Sequence, residues 1–583
     1  MINSEAARIF SGLADMLELS GENPFRIRAY RRAAMVVEGY PNDISRMSKE
    51  ELKKIPGIGE DLASKLIEIV QTGTCRAYEA AKEKVPEGLS LLLTIPGLGP
   101  KTARAIYDKF RIKDIGELEK LAMEHRLKGA VPKIKEKTEQ NILRGISLAR
   151  MGAGRKPIGQ VLPVAQALVN ALRARAPVRQ IEIAGSLRRW KETIGDIDIL
   201  ATSRDPAKVM DVFTGLSMVK QVVAKGETKS TVILSEGVQA DLRVVEDDAF
   251  GAALCYFTGS KEHNIRLREM GVKKGLKINE YGIFDGKGKK IGGAKEQDVY
   301  QALGLPVVPP ELREDSGEIE AAIKDTLPEL VRVEDIKGDL HVHSRLSDGN
   351  YTIEEIVQEA VKRGWHYIAI TDHSKGLGIA RGLSQERMLE EIKQIDAINR
   401  RLKKDKSPFT VLKGVEVDIR SDGALDFPDE ILSRLDIVNA SIHSGFRQTK
   451  DKITGRITAA MKNPFVTTLS HPTGRLLGVR EAYQVDMEEV LKTAIETGTA
   501  LEINSFPARL DLNDTTARRA RDMGIPIVIN TDAHILDHFD YMSYGVAIAR
   551  RAWLEPKHVA NTLSVKDMLE VLHKKRLISL KTS

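Results

Sequence analysis

Gly185-Ser186-Leu187-Arg188-Arg189-Trp190-Lys191-Glu192-Thr193-Ile194-Gly195-Asp196-Ile197-Asp198 is the stretch from which the organisation of the chain follows. Ile181 and Ile183 lead into it, alternating with polar residues in the pattern of a half-buried strand. Gly185-Ser186 then ends the strand and opens a helix, which offers free backbone N–H groups and a hydroxyl to a phosphate. Arg188 and Arg189 add forked cationic donors. Gly195 starts a second strand, Asp196-Ile197-Asp198-Ile199-Leu200. Strand side chains alternate, so Asp196 and Asp198 share one face while Ile197 and Ile199 point to a core. Two carboxylates on one face repel unless a cation lies between them, and hard oxygen ligands suit Mg²⁺. A third acid, Asp241, lies on a later predicted strand, Val238–Val245. Three acids on adjacent strands can hold two ions roughly 3.5–4 Å apart, the arrangement for in-line phosphoryl transfer.

The remaining bulk properties set limits. At 583 residues the chain exceeds what one core supports, about 250–300 residues, so several domains are expected. No run of eighteen apolar residues predicts a membrane span, and MINSEAARIF lacks a basic-then-apolar leader pattern. Cys75 and Cys255 are the only cysteines, which excludes a disulfide framework and makes the cytoplasm the expected compartment. A net charge of +7 permits an anionic partner. Ten of the twelve histidines fall from His341 onward, so the two halves are expected to carry different chemistry.

Residues 1 to 150 read as short helices, with two near-identical turns: Ile55-Pro56-Gly57-Ile58-Gly59 and Ile95-Pro96-Gly97-Leu98-Gly99. Each leads into a predicted helix, Asp61–Val70 and Lys101–Phe110. This is the helix-hairpin-helix pattern, in which Gly57, Gly59, Gly97 and Gly99 turn backbone N–H groups toward a DNA phosphate. Such contacts position a duplex without reading its sequence. Lys101 suits a phosphate beside the second turn, whereas Glu60 and Asp61 beside the first do not.

After Asp241 come Leu254-Cys255-Tyr256-Phe257-Thr258-Gly259-Ser260, then His263-Asn264-Ile265-Arg266-Leu267-Arg268, then Ile278-Asn279-Glu280-Tyr281-Gly282-Ile283. The ordered set GS, RR, GDIDIL, ADLRV, YFTGS and INEYGIF resembles the family X DNA polymerases over residues 1–320. The resemblance implies that Asp196 and Asp198 bind both Mg²⁺ ions and that Asp241 joins the catalytic one as base or base-orienter. It implies that Gly185, Ser186 and Arg189 hold the triphosphate of a dNTP, with Gly195 allowing close approach. Tyr256, Phe257 and Gly259 would line the sugar pocket, Asn264 would meet the base edge and Arg268 the template side. Trp190 stands where the family usually has glycine, and Gln239 where beta-type enzymes have arginine. Asn23 to Ala34, basic with interleaved aromatics, is similar to the amino-terminal domain of the same family. By that match Lys65 falls at the Schiff-base lysine of the deoxyribose-phosphate lyase. Lysines of that pocket are here Arg26, Asp61 and Ala77, and a nearby Asp raises a lysine pKa.

A second metal-type series follows. His341-Val342-His343 alternates on a strand, so both imidazoles share a face. Asp348, His373, Glu416, His443, His471, Asp532 and His534 then close one short apolar stretch after another, with helical segments between. Polar residues at strand C-termini in strand–helix alternation mark a β/α barrel active site. Mixed nitrogen and oxygen ligands suit Zn²⁺, Mn²⁺ or Fe²⁺, and nine of them exceed one ion's needs, so up to three ions are expected. His366, His538, His558 and His573 are set aside as structural or exposed, and Arg475 and Lys450 are candidates for holding a phosphate. The pattern resembles the polymerase and histidinol phosphatase (PHP) domain, complete in all nine positions, which implies phosphate-ester hydrolysis.

The expected architecture is multidomain: α-helical helix-hairpin-helix domains, an α+β nucleotidyltransferase palm and thumb, and a C-terminal distorted TIM-like β/α barrel. The expected boundaries are 1–85 for the helical DNA-binding domain, 86–150 for fingers, 151–260 for palm, 261–318 for thumb, 319–335 for a linker and 336–575 for the barrel. The implied activity is a monomeric, nucleoid-associated repair polymerase filling short gaps. Its barrel would act as a 3′–5′ exonuclease and as a second reaction cleave at abasic sites. The rival readings are a small-molecule phosphatase, or a scaffold with decayed sites, tethered to the DNA-binding module. The paired glycine turns and YFTGS weigh against the phosphatase, and the intact acids and nine ligands against decay.

Overall fold

The acidic strand forms where its alternation requires. Asp196–Thr202 pairs antiparallel with Gln180–Ile183 and parallel with Gln239–Val245, and Ile197 and Ile199 are buried. Lys229–Leu234 and Val219–Lys225 complete a five-stranded sheet. Helices Ile158–Arg175 and Pro206–Thr214 supply Val161, Leu168, Val209 and Phe213 to the core that includes these strand residues. Phe250 and Leu254, from helix Phe250–Thr258, cluster with Ala184 and Leu200. Beyond it lie helix Lys261–Lys273, capped by Ser260, and a small antiparallel sheet of Lys277–Asn279, Gly282–Phe284 and Lys290–Gly292.

The second half closes a parallel sheet on itself. Gly338–Val342, Tyr367–Ile370, Thr410–Asp418, Ile437–Ser441, Thr468–Leu469, Ala500–Asn504 and Ile527–Asn530 lie side by side in sequence order. Strands buried on both faces read as unbroken apolar runs, as Tyr367–Ile370 does. The Val342–Ala533 bridge and the His343 N–H donating to Ala533 O at 2.9 Å bring the last strand back to the first. The barrel therefore has seven strands, one fewer than the TIM-like expectation.

The protein is described here from a computed structural model. It covers every residue except 1, 21, 39, 41–43, 56, 85, 87–88, 90–91, 93–97, 99, 132–133, 135–137, 140–141, 144–145, 147–154, 378–379 and 577–583. At the N-terminus, helices Ile2–Leu19, Pro24–Glu38 and Glu60–Thr72 enclose Phe10, Leu13, Tyr30 and Leu66. A second cluster, with Ala103, Ile106 and Leu118, holds Pro100–Phe110 and Ile115–Met123. Cys75 and Cys255 are buried free thiols. No described helix is long and apolar enough to cross a membrane.

The apolar cores of the palm and barrel are continuous, running from Ile158 and Val209 to Leu432 and Ile529. The approach is close: a Cβ on Gly159 would lie 2.3 Å from Pro507 Cβ, so glycine is required there. Residues 319–335 are also packed. They hold most of helix Glu318–Ile323 and the buried Leu330 and Val331, and the Val331 N–H donates to Leu554 O at 2.9 Å.

Candidate active sites

The parallel register sets Asp198 opposite Asp241, and Asp196, Asp198 and Asp241 offer oxygens all within 4.8 Å of one another. Burial, then Asp196 and Asp241, pushes the Asp198 carboxyl up to about 7. Burial and Asp241 also raise Asp196, against the opposing charges of Arg155 and Lys229. Such clustering is unfavourable without a counter-ion, so the donor set fits divalent cations. The Thr231 hydroxyl donates to Asp241, and Gln239 Nε2 lies 3.4 Å from its other oxygen. Gln239 thus meets Asp241 as a neutral donor, where an arginine would bring charge.

Gly185 starts a one-turn helix, Gly185–Arg188, with φ +64°. A Cβ there would sit 2.2 Å from Asp198 Oδ2, so the Gly185-Ser186 turn and the acid are built against each other. Ser186 lies in the same turn. Gly195 is different: a Cβ would come no nearer than 3.5 Å to Arg155, so the protein itself leaves room there. Arg188 is spent on structure, forked onto Glu296 at 2.8 and 2.9 Å. Arg189 donates to Thr258 O and, through Nε, to Glu314 at 3.1 Å. Gly259, at φ +70°, passes beside it, with a Cβ falling 3.1 Å from Arg189 Nη1. Tyr256 and Phe257 pack edge to face at 5.1 Å, and Arg243 lies over the Phe257 ring at 4.5 Å. Asn264 donates to Tyr256 O at 2.6 Å and shares a shallow cleft with Tyr256, Arg268 and Asn279.

In the N-terminal unit, Gly57 has φ +93° and Gly59 precedes helix Glu60–Thr72. Lys49 and Lys53 neutralise Glu60 at 2.5 and 2.8 Å, which answers the objection that Glu60, though not Asp61, raised to a phosphate. Gly97 and Gly99 lie outside the described residues, and Lys101 is on the helix that follows them. Lys65 ion-pairs with Asp61 and lies 5.7 Å from the Tyr30 ring centroid. Burial alone would lower its ammonium pKa, but Asp61 and Tyr30 outweigh it and the pKa is raised. That favours the ammonium over the free amine a nucleophile needs.

In the barrel, all nine predicted ligands converge in one cluster around Glu416. Its Oε2 lies 3.3 Å from His341 Nε2 and 2.9 Å from His373 Nδ1, and its Oε1 3.2 Å from His443 Nε2 and 2.8 Å from His471 Nε2. His343 Nε2 is 3.2 Å from Asp532, and Asp348 is 3.6 Å from His373 and 3.3 Å from His534. Three overlapping sets result: His343, Asp348, His373 and His534; His341, His343, Glu416 and Asp532; and His373, Glu416 and His443. His341 Nε2, His343 Nδ1 and His471 Nδ1 are buried without a hydrogen-bond partner. Buried imidazole nitrogens without a partner, within a mixed nitrogen–oxygen cluster, fit a set of borderline divalent ions. The charge pattern agrees. Burial opposes charge on His373, but Glu416 and Asp348 hold it at about 10, while burial and the neighbouring His534 and His373 push His343 down to about 3.

Several residues of this cluster escape sequence reading. Glu502 accepts from His341 Nδ1 at 2.8 Å and from the His471 N–H at 2.7 Å, and is steadied by Asn530. Asp418 Oδ1 lies 3.4 Å from His443 Nδ1. Arg509 Nε is 3.4 Å from Asp532 and brings a cation to the cluster. Arg475, a candidate for that task, instead donates to Glu192 of the palm at 2.8 Å and to the Arg509 carbonyl at 3.0 Å. Lys450 pairs with Asp486 at 3.1 Å. His538, set aside from the sequence, accepts the His534 N–H at 3.3 Å.

A palm with three clustered carboxylates, continuous with a barrel holding nine clustered metal-type ligands, defines a polymerase-type nucleotidyltransferase carrying a PHP barrel. Residues 1–75 match the helix-hairpin-helix domain, 89–147 the SAM-like helix-hairpin-helix tandem, 253–314 the DNA polymerase beta thumb and 339–506 the PHP domain. The chain is 38% identical over 571 residues to the DNA polymerase/3′-5′ exonuclease PolX of Bacillus subtilis, covering 97% of this chain and 99% of that one. The chain belongs to this PolX family of DNA polymerases with a PHP domain. A probable phosphatase of Thermoanaerobacter sp. is 32% identical over 250 residues, 41% of this chain and 95% of its own. DNA polymerase lambda of Rattus norvegicus is 26% identical over 335 residues, 52% and 54% of the two chains.

Proposed function

We propose that the chain extends primer ends in short DNA gaps with its palm and removes 3′-terminal nucleotides with its barrel. The observation that carries this reading is the pairing of two separate ligand clusters, Asp196/Asp198/Asp241 and the nine around Glu416, in one continuous protein that the Bacillus subtilis polymerase/exonuclease matches over nearly its whole length. Divalent ions, when bound, supply charge neutralisation at phosphoryl oxygens and activation of the attacking group. Asp196 and Asp198 would hold both palm ions, here assigned as Mg²⁺, with Asp241 on the catalytic one. Asp241, which accepts from the Thr231 hydroxyl, would accept or orient the primer hydroxyl proton. Gly185, Ser186 and Arg189 would take the triphosphate, Tyr256, Phe257 and Gly259 the sugar, and Asn264 and Arg268 the base pair. In the barrel, the nine ligands would hold Mn²⁺, Zn²⁺ or Fe²⁺, with Arg509 facing the phosphate. The chain is read as acting as a monomer on gapped or primer–template DNA, with domain boundaries near 85, 150, 260, 318 and 335.

Gapped duplex DNA assayed with each cluster disabled tests the reading. Asp196→Ala should abolish extension and keep 3′ degradation in Mn²⁺, and His341→Ala the reverse. Degradation that survives His341→Ala would remove the exonuclease from the barrel.

A further inference from the structure

Arg551 ends the barrel helix Met542–Arg551, and its side chain is 4% exposed. It points out of the barrel into the polymerase half. Nη1 donates to the carbonyl of Arg189 at 2.7 Å and lies 3.1 Å from Glu314 Oε1, while Nε and Nη2 are fixed on Asp514 at 2.8 and 2.7 Å. That same Glu314 oxygen accepts from Arg189 Nε at 3.1 Å. The next residue, Trp190, has φ +54°, a left-handed backbone conformation that is strained for a non-glycine residue. Its indole is packed edge-on at 5.6 Å against Tyr544 of the same barrel helix. Glu192, two residues further, is held by Arg475 of the barrel at 2.8 Å. The segment that follows the Gly185-Ser186 turn is thus gripped at three points by the barrel, none of them in the barrel's ligand cluster.

We propose that Arg551 is a positioning residue for nucleotide incorporation. By sharing Glu314 with Arg189 and holding the Arg189 carbonyl, it keeps the Arg189 guanidinium turned toward an incoming triphosphate. This rests on the reading of Arg189 as a triphosphate ligand. With Arg551 removed, Glu314 has one cation fewer to share, pairs more tightly with Arg189 and competes with the nucleotide. The polymerase half therefore reaches its full nucleotide affinity only with the barrel docked.

The test is single-nucleotide insertion into a gapped duplex by the full chain, with KM for dNTP and kcat read separately. Arg551→Met should raise KM about tenfold, about 1.4 kcal/mol, and change kcat less than about twofold. The control is Arg550→Met, which breaks the adjacent ion pair with Glu311 at 2.7 Å and does not touch Arg189. It should leave KM unchanged. Retained 3′ degradation reports that the barrel of each variant is folded. If Arg551→Met loses that activity, Arg551→Lys, which keeps the charge but not the fork, is read the same way and should give an intermediate KM. A KM within about twofold of the parent, or an equal rise in Arg550→Met, overturns the proposal. A parent chain that inserts no nucleotide would instead refute the proposed function.

Discussion

Gly185→Ala is the sharpest test of the palm geometry. The new methyl would start 2.2 Å from Asp198 Oδ2, whereas an ordinary carbon–oxygen approach is about 3.3 Å. The carboxylate must therefore retreat by about 1 Å, or the turn carrying Ser186 must move by as much. The backbone at φ +64° adds strain of about 1 kcal/mol for a non-glycine residue. Misplacement of about 1 Å in a reacting constellation costs about a hundredfold in rate. Gap filling by Gly185→Ala should accordingly fall about a hundredfold in kcat/KM, with 3′ degradation by the barrel unchanged as an internal control. Activity within about threefold of the parent would show that the Gly185 turn and Asp198 are not coupled as the close contact requires.

Three further outcomes are expected. Asp198 titrates near 7 in the folded chain and near 4 when unfolded, so between those values the native state binds the extra proton and metal-free stability falls as pH rises. Asp198→Asn should then raise the melting temperature in chelator at pH 8, by an amount equivalent to about 2–4 kcal/mol, with the gain vanishing toward pH 4; a pH-independent gain would refute this. Glu502→Gln should weaken the barrel's hold on metal about ten- to a hundredfold, seen by mass spectrometry as ions lost on dialysis against chelator; a full complement retained would mean that the Glu502–His341 contact orients nothing. Asp61→Ala should free Lys65 and increase borohydride trapping on abasic DNA over the parent; equal trapping would show that the ion pair does not restrain the amine.

Much of both sites was legible because their residues come in short-range patterns. Asp196 and Asp198 need only strand alternation to share a face, and His341-Val342-His343 the same. The later ligands each close an apolar run, which is how a barrel presents its functional end. What sequence could not carry is set by pairing at a distance. Glu502 reads as one polar residue in Leu501-Glu502-Ile503-Asn504, and only the closed barrel puts it on His341. Arg509 and Arg475 are equivalent as sequence, yet one faces the cluster and the other the palm. The number of strands was likewise invisible, because closure depends on the Val342–Ala533 bridge rather than on any local signal. Trp190 was marked as a departure, but the barrel ring that packs against it lies more than 350 residues away.

The unbroken apolar interior shared by palm and barrel has a bearing on how the molecule can be taken apart. A cut near residue 335 would leave Ile158, Val209 and their partners on one fragment facing water where Leu432 and Ile529 had belonged to the same interior. Neither piece would then report the behaviour it has in the whole, and heat or denaturant should disable synthesis and degradation in a single step. Transplanting a barrel from a relative would demand a matched surface on the recipient palm, so the two catalysts are constrained to change together.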